Sequence, residues 1–162
     1  MEKLELKHIQ YYDLSILKFV VPALNNKTIT ASVVNIDLGY IECCEYGVRE
    51  SYSIKFLKPI LRPLSDLYKE IDGKVGIVEL AKIRYSFLDW KLEKLGFSSA
   101  KDRYGNYHTF EFDKGYYIFL KDSSADCVSQ LECFEYLFSN RYDIYGLIDK
   151  GLAIDLNSIS HE

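Results

Sequence analysis

Five groups of residues in this chain could do chemistry. His8, His108 and His161 are the only histidines, and Cys43, Cys44, Cys127 and Cys133 the only cysteines. A histidine acts as a general base only within reach of a nucleophile and an orienting acid. His8 falls at the end of an expected strand and His108 at the start of a hairpin arm, and neither lies near a cysteine in sequence. Adjacent Cys43 and Cys44 point to opposite faces of a strand. Cys127 and Cys133 are six apart and off a common helix face. No CxxC pair, HExxH or GxSxG occurs. Neither a metal site nor a cofactor is expected, and the thiols read as reduced and partly buried.

The carboxylates Asp66, Glu70, Glu79, Asp149 and Asp155 form the third group. Asp66 and Glu70 are four apart and would share one helix face. An acid/base or metal role is conceivable there. The structural reading is favoured, because Asp66 follows Ser65 at an expected helix start, where unpaired N–H groups welcome negative charge.

Arg62 stands between Pro59 and Pro63 in Lys58-Pro59-Ile60-Leu61-Arg62-Pro63. Its backbone has little freedom, so its guanidinium could grip a carboxylate or a phosphate at small entropic cost. An internal lock is the favoured reading, with Asp66, Asp149 or Asp155 as partner and a loss of about 1–3 kcal/mol expected for Arg62→Ala. The fifth group is Lys101, Arg103, Tyr104, Tyr107 and His108. Cations interleaved with aromatics can hold a backbone and stack bases. Asp102, Glu111 and Asp113 dilute that charge, so a solvated loop is the plainer reading.

These residues need elements to place them. The chain has 162 residues, 48% hydrophobic and 27% charged, with 14 Tyr and 9 Phe. That composition fits one α+β domain spanning 1–162. The net charge of -4 offers no electrostatic case for nucleic acid or a membrane surface. No apolar run is long enough to span a bilayer, and Met1–Leu6 lacks a signal-peptide core, so the cytoplasm is the expected compartment.

Alternation predicts short strands at 4–6, 16–21, 28–37, 40–46 and 52–57, forming an N-terminal antiparallel sheet. Pro59 and Pro63 mark the passage from strands to helices. Helical spacing predicts helices over 64–71 and 78–87, then 89–95 capped by Gly96. Polar residues 98–106 read as a loop. His108–Asp113 and Tyr116–Leu120 flank Lys114-Gly115 as a further β-hairpin. Ser123 or Ser124 would cap a C-terminal helix whose apolar stripe is Val128, Leu131, Phe134 and Phe138. Leu131, Phe134 and Phe138 should then pack with Ile29 or Val33. A last helix over 143–150 would end at Gly151, and Leu152–Leu156 would dock as a strand or lie in a groove.

The stretches Lys58–Leu67, Val78–Ile83 and Tyr145–Asn157, with Leu4–His8, resemble a group of small bacterial proteins associated with phages and mobile elements. The likeness touches both ends and the middle of the chain. The group has no known activity, ligand or catalytic residue to carry over. What the resemblance implies is context, an accessory protein serving a phage or prophage.

The leading expectation is therefore binding without catalysis, with a protein partner such as a host defence component. The alternatives are a nucleic-acid or nucleotide binder using residues 101–108, and an enzyme centred on a histidine or a carboxylate pair.

Overall fold

The structure is a computed structural model. It describes residues 3–13, 17–24, 27–30, 36–37, 39–45, 48–94, 96–113, 116–121, 124–126 and 128–159. In chain order the strands are β1 Lys18–Val21, β2 Lys27–Thr30, β3 Ile36–Asp37, β4 Tyr40–Glu45, β5 Val48–Ser53, β6 Lys58–Leu61, β7 Glu70–Ile71 and β8 Lys74–Val75. Helix α1 is Gly76–Arg84. Then come β9 Lys91–Leu92, β10 Ser98–Lys101, β11 Tyr107–Asp113, β12 Tyr116–Lys121, β13 Ser124–Asp126, helix α2 Gln130–Ser139 and β14 Ile154–Asp155. The expected α+β class stands, with its N-terminal antiparallel strands, its further hairpin and its C-terminal helix.

The chain divides into two compact units, residues 1–64 with 137–162, and residues 65–136. In the first, one sheet runs β14-β6-β1-β2 and a second runs β3-β4-β5. Strand β1 pairs antiparallel with β2, Phe19 facing Ile29, and with β6, Phe19 facing Pro59. The expected C-terminal strand docks here: β14 lies parallel to β6, with Ile154 facing Ile60. Phe19, Leu17, Ile9, Ile41, Leu61 and Leu147 are fully buried at the centre of this unit. Ile29 is in that core as expected, and Val33 lies outside the described residues.

Several local expectations are corrected. Residues 4–6 form no strand; a 3-10 helix covers Leu6–His8, with the Glu5 N–H donating to His8 Nδ1 at 3.1 Å. The strand expected over 52–57 ends at Ser53, and a 3-10 helix over Ile54–Phe56 buries Ile54 while Phe56 stays exposed. After Pro63 the chain makes a 3-10 helix, Leu64–Tyr68, in place of a longer α-helix. Asp72 and Gly73 sit at φ 52 and 74, the two positive values of a tight turn between β7 and β8. The segment expected as a helix over 143–150 is a run of turns, because Gly146 at φ 62 interrupts it.

The second unit is built on a five-stranded sheet ordered β13-β12-β11-β10-β9. The predicted hairpin is β11–β12, with Phe110 facing Phe119; its turn at 114–115 lies outside the described residues. Two readings change. Lys91–Leu92 is a strand, and Gly96, expected to cap a helix, turns the chain back into β10. Residues 98–101 are a strand whose Ser98, Ser99 and Ala100 are buried.

Helix α2 begins at Gln130, later than a cap at Ser123 or Ser124 would start it, and Ser124 belongs to β13. Its most buried residues are Cys133 and Leu137, and Leu131 is 70% exposed. Starting from 133 and 137 turns the stripe by one residue, about 100°, relative to 134 and 138. Phe134 and Phe138 become its half-buried flanks, and Leu131 faces solvent. Among the described residues no helix is long and apolar enough to cross a membrane.

Candidate functional site

The sequence places cations beside aromatics in the second unit, and the fold brings two of them, Lys101 and Arg103, to one pocket. Helix α1 ends at Arg84, and Tyr85 to Leu88 leave it as an irregular segment. Buried Trp90 fixes that exit, its Nε1 donating to the Tyr85 carbonyl at 2.9 Å. On the other side, β10 and β11 pair antiparallel so that Lys101 faces Tyr107 and Ala100 faces His108. The connection 102–106 therefore projects from the sheet end.

Asp102 organises that connection. Its Oδ1 accepts from the backbone N–H groups of Tyr104 at 2.9 Å and Asn106 at 3.0 Å. Its Oδ2 accepts from Asn106 Nδ2 at 2.8 Å and lies 3.2 Å from His108 Nε2. Gly105, at φ 85, supplies the left-handed residue, and its N–H donates to the Asp102 carbonyl. The Asn106 side chain above all, then His108 and the two backbone amides, hold the Asp102 carboxyl far below the ordinary carboxylate range. Desolvation pushes the other way and is outweighed.

The result is a pocket of about 540 Å³. Tyr85, Phe87, Leu88 and Tyr104 supply its aromatic and apolar walls, and Lys101, Arg103, Asp102 and His108 its polar ones. Phe87 is 77% exposed and Tyr104 73%, which is unusual for rings of this size. The Arg103 guanidinium lies 4.7 Å from the Tyr104 ring centre, and its Nη2 donates to the Tyr104 hydroxyl at 2.6 Å. Lys101 Nζ lies 5.2 Å from the ring of Tyr107, and Arg84 5.6 Å from that of Tyr85. Each of these three cations thus lies over one ring.

Of the residues singled out from sequence, Lys101, Arg103, Tyr104 and His108 meet at this pocket, and Tyr107 stands beside Lys101 at its edge. Tyr85, Phe87 and Leu88 were not foreseen, since nothing in a helix exit announces which loop it will face. Asp102 was expected to dilute the positive charge. Its carboxylate is instead spent on the loop's own donors, and the spacing Asp102-Arg103-Tyr104-Gly105-Asn106 was the available signal of such a turn.

His8 belongs to the first unit and His108 to the second, and His161 lies outside the described residues. His108 does meet an acid, but it is only 5% exposed and its Nδ1 is buried while Nε2 faces Asp102. The ring therefore offers no open nitrogen to a substrate and serves to pin the loop. His8 is tied to Glu5 and sits 5.8 Å from the Tyr145 ring. Cys133 is a free thiol, and burial first, then the charge of Glu132, push it up to about 11. The side chains of Cys43, Cys44 and Cys127 lie outside the described residues. Among the described residues no group of three His, Cys, Asp or Glu side chains could hold a metal ion.

Arg62 belongs to the first unit and takes no part in the pocket. Its expected carboxylate lock is corrected. Asp66 takes Lys69 at 2.6 Å, and Asp155 accepts from the Asn157 N–H. Among the described residues Arg62 has no carboxylate partner, and its Nε is buried without an acceptor. The lock is made by backbone: the Arg62 N–H donates to the Arg141 carbonyl and its own carbonyl accepts from the Asp143 N–H, both at 2.8 Å. The guanidinium lies 5.6 Å from the Tyr142 ring. Arg62→Ala keeps both backbone bonds and loses only the ring contact. A loss of about 0.5–1 kcal/mol in urea unfolding is expected, below the range for a broken ion pair. Set against family models, curated proteins and solved structures, the chain matches none of them.

Proposed function

We propose that this chain works by binding rather than catalysis, and that the pocket at Tyr85–Leu88 and Lys101–His108 takes single-stranded nucleic acid. The observation that supports this reading most is exposed rings grouped with cations: Phe87 and Tyr104 are exposed, Arg103 lies against the Tyr104 ring, and Lys101 lines the same pocket. Bases stack on such rings whatever their sequence, and the cations track the backbone. The net charge of -4 argues against tight general adhesion to polyanions. It is compatible with a short site where one acid is consumed internally. The accessory role implied by the resemblance fits a binding protein acting in the cytoplasm of a host cell. Occupation of a host or phage protein is the other form such a role would take.

Fluorescence anisotropy with a labelled eight-nucleotide oligo-dT and oligo-U tests this. Two phosphate contacts, from Lys101 and Arg103, predict a slope of log K on log salt of about −1.4. Tyr104→Ala should weaken binding about tenfold or more, from the loss of one stacked base. Absence of binding at low salt, or affinities in Tyr104→Ala and Arg103→Ala equal to that of the native chain, would remove nucleic acid from consideration.

A further inference from the structure

The first unit carries a pocket of its own that the nucleic-acid reading does not use. Its floor is Leu4, Leu57 and Leu152, and Pro22 and Phe56 form its sides. Leu4 and Leu57 are almost fully buried, and Phe56 is 61% exposed. Local structure holds this shape. The 3-10 helix Ile54–Phe56 turns Ile54 inward and leaves Phe56 outside, and Lys58 then begins β6. Pro22 opens the 3-10 helix that follows β1, and Leu152 lies two residues before β14. The space is about 320 Å³, at the lower end of the range for small-molecule sites.

Lys55 and Lys58 complete the lining, and among the described residues no acidic one shares it. Neither lysine has a carboxylate partner among the described residues, whereas Lys7, Lys69, Lys82 and Lys91 each hold one. The Lys55 ammonium stands 4.8 Å from the centre of the Phe56 ring. An apolar floor with two uncompensated ammonium groups defines one ligand chemistry. A neutral apolar molecule would leave both lysines unused, and a cationic one would be repelled.

We propose that this pocket binds a straight-chain acyl carboxylate of about eight to ten carbons, with its chain on Leu4, Leu57 and Leu152 and its carboxylate between Lys55 and Lys58. Burial of the chain supplies the affinity, and the lysines choose the head group. Each added methylene should tighten binding about fourfold until the pocket is full.

The test is methyl NMR on the full chain, titrated with hexanoate, octanoate, octanol and octylamine below their aggregation limits. Octanoate should shift the Leu4, Leu57 and Leu152 methyls, bind more tightly than hexanoate, and exceed octanol and octylamine at least fivefold. The double variant Lys55→Gln, Lys58→Gln should abolish that preference while octanol binding is retained, which also shows that the variant is folded. Equal affinity for octanoate and octanol in the native chain would overturn the proposal. So would shifts confined to other methyls. Methyl shifts that depend on protein concentration without ligand would also overturn it, since a second copy would then be the occupant.

Discussion

Replacing Asp143 by Ala should lower the stability of the protein by about 2–4 kcal/mol, a large part of the total for a chain of this size. Asp143 is 5% exposed, and its two carboxylate oxygens each accept one backbone N–H at 2.8 Å, from Leu147 and from Ile148. Both are charge-assisted bonds, and the Leu147 donor in particular is buried and would be left without an acceptor. The consequences propagate along the backbone. Leu147 is fully buried, and its carbonyl accepts from the N–H groups of Leu152 and Ala153. Those residues deliver the chain to β14, which lies on β6. Asp143→Ala should therefore shift the urea midpoint and also speed amide exchange in β14 more than in β4. Asp143→Asn, which keeps one acceptor oxygen, should fall between the two. An unchanged midpoint in Asp143→Ala would show that the turn is held by packing of Leu147 alone.

This carboxylate shows why some of the fold was legible in the sequence and some was not. Strands β1 to β4 and the β11–β12 hairpin follow from period-two alternation bounded by turn residues, a local property. The helices expected over 89–95 and 143–150 also had plausible local features, among them Gly96 and Gly151 as caps. Left-handed glycines serve hairpin turns and turn runs as well as helix ends, however, and Gly146 in the interior tipped the second segment away from helix. Asp143 was read as one end of a helix. Its role depends on where Leu147 and Ile148 place their N–H groups, which no spacing rule contains.

The site was half legible for a related reason. Lys101, Arg103, Tyr104, Tyr107 and His108 are close in sequence, and a hairpin keeps such neighbours close in space. Phe87 lies fourteen residues before Lys101 and reaches the same pocket because α1, β9 and β10 belong to the same unit. The Arg62 lock failed as an inference because it treated the guanidinium as the gripping group. The prolines had already made the backbone rigid, and the backbone itself forms the bridge to Tyr142.

Asp102 carries the second large effect. Asp102→Ala should weaken oligonucleotide binding about tenfold to a hundredfold, although Asp102 itself repels phosphate. A direct electrostatic role predicts the opposite sign, tighter binding when the negative charge is removed. The expected loss comes from the loop: the carboxylate fixes the N–H groups of Tyr104 and Asn106, the Asn106 amide and the His108 ring. Without it Arg103 and Tyr104 lose their common orientation, and both a stacking face and a cation are displaced. Acid should act on the same contacts. Folding holds the Asp102 carboxyl below its ordinary value, so the charged form is the one the fold favours. Its stabilising contribution is fully present above the unfolded value, about pH 4, and is lost as the pH falls from there through the lower folded value. The difference in thermal midpoint between wild type and Asp102→Ala should thus narrow steadily as the pH falls below about 4. A difference that does not narrow in acid would mean that the charge of Asp102 does not hold the loop. Tighter oligonucleotide binding in the variant would mean that the loop needs no keystone and that Asp102 acts on the ligand by repulsion alone.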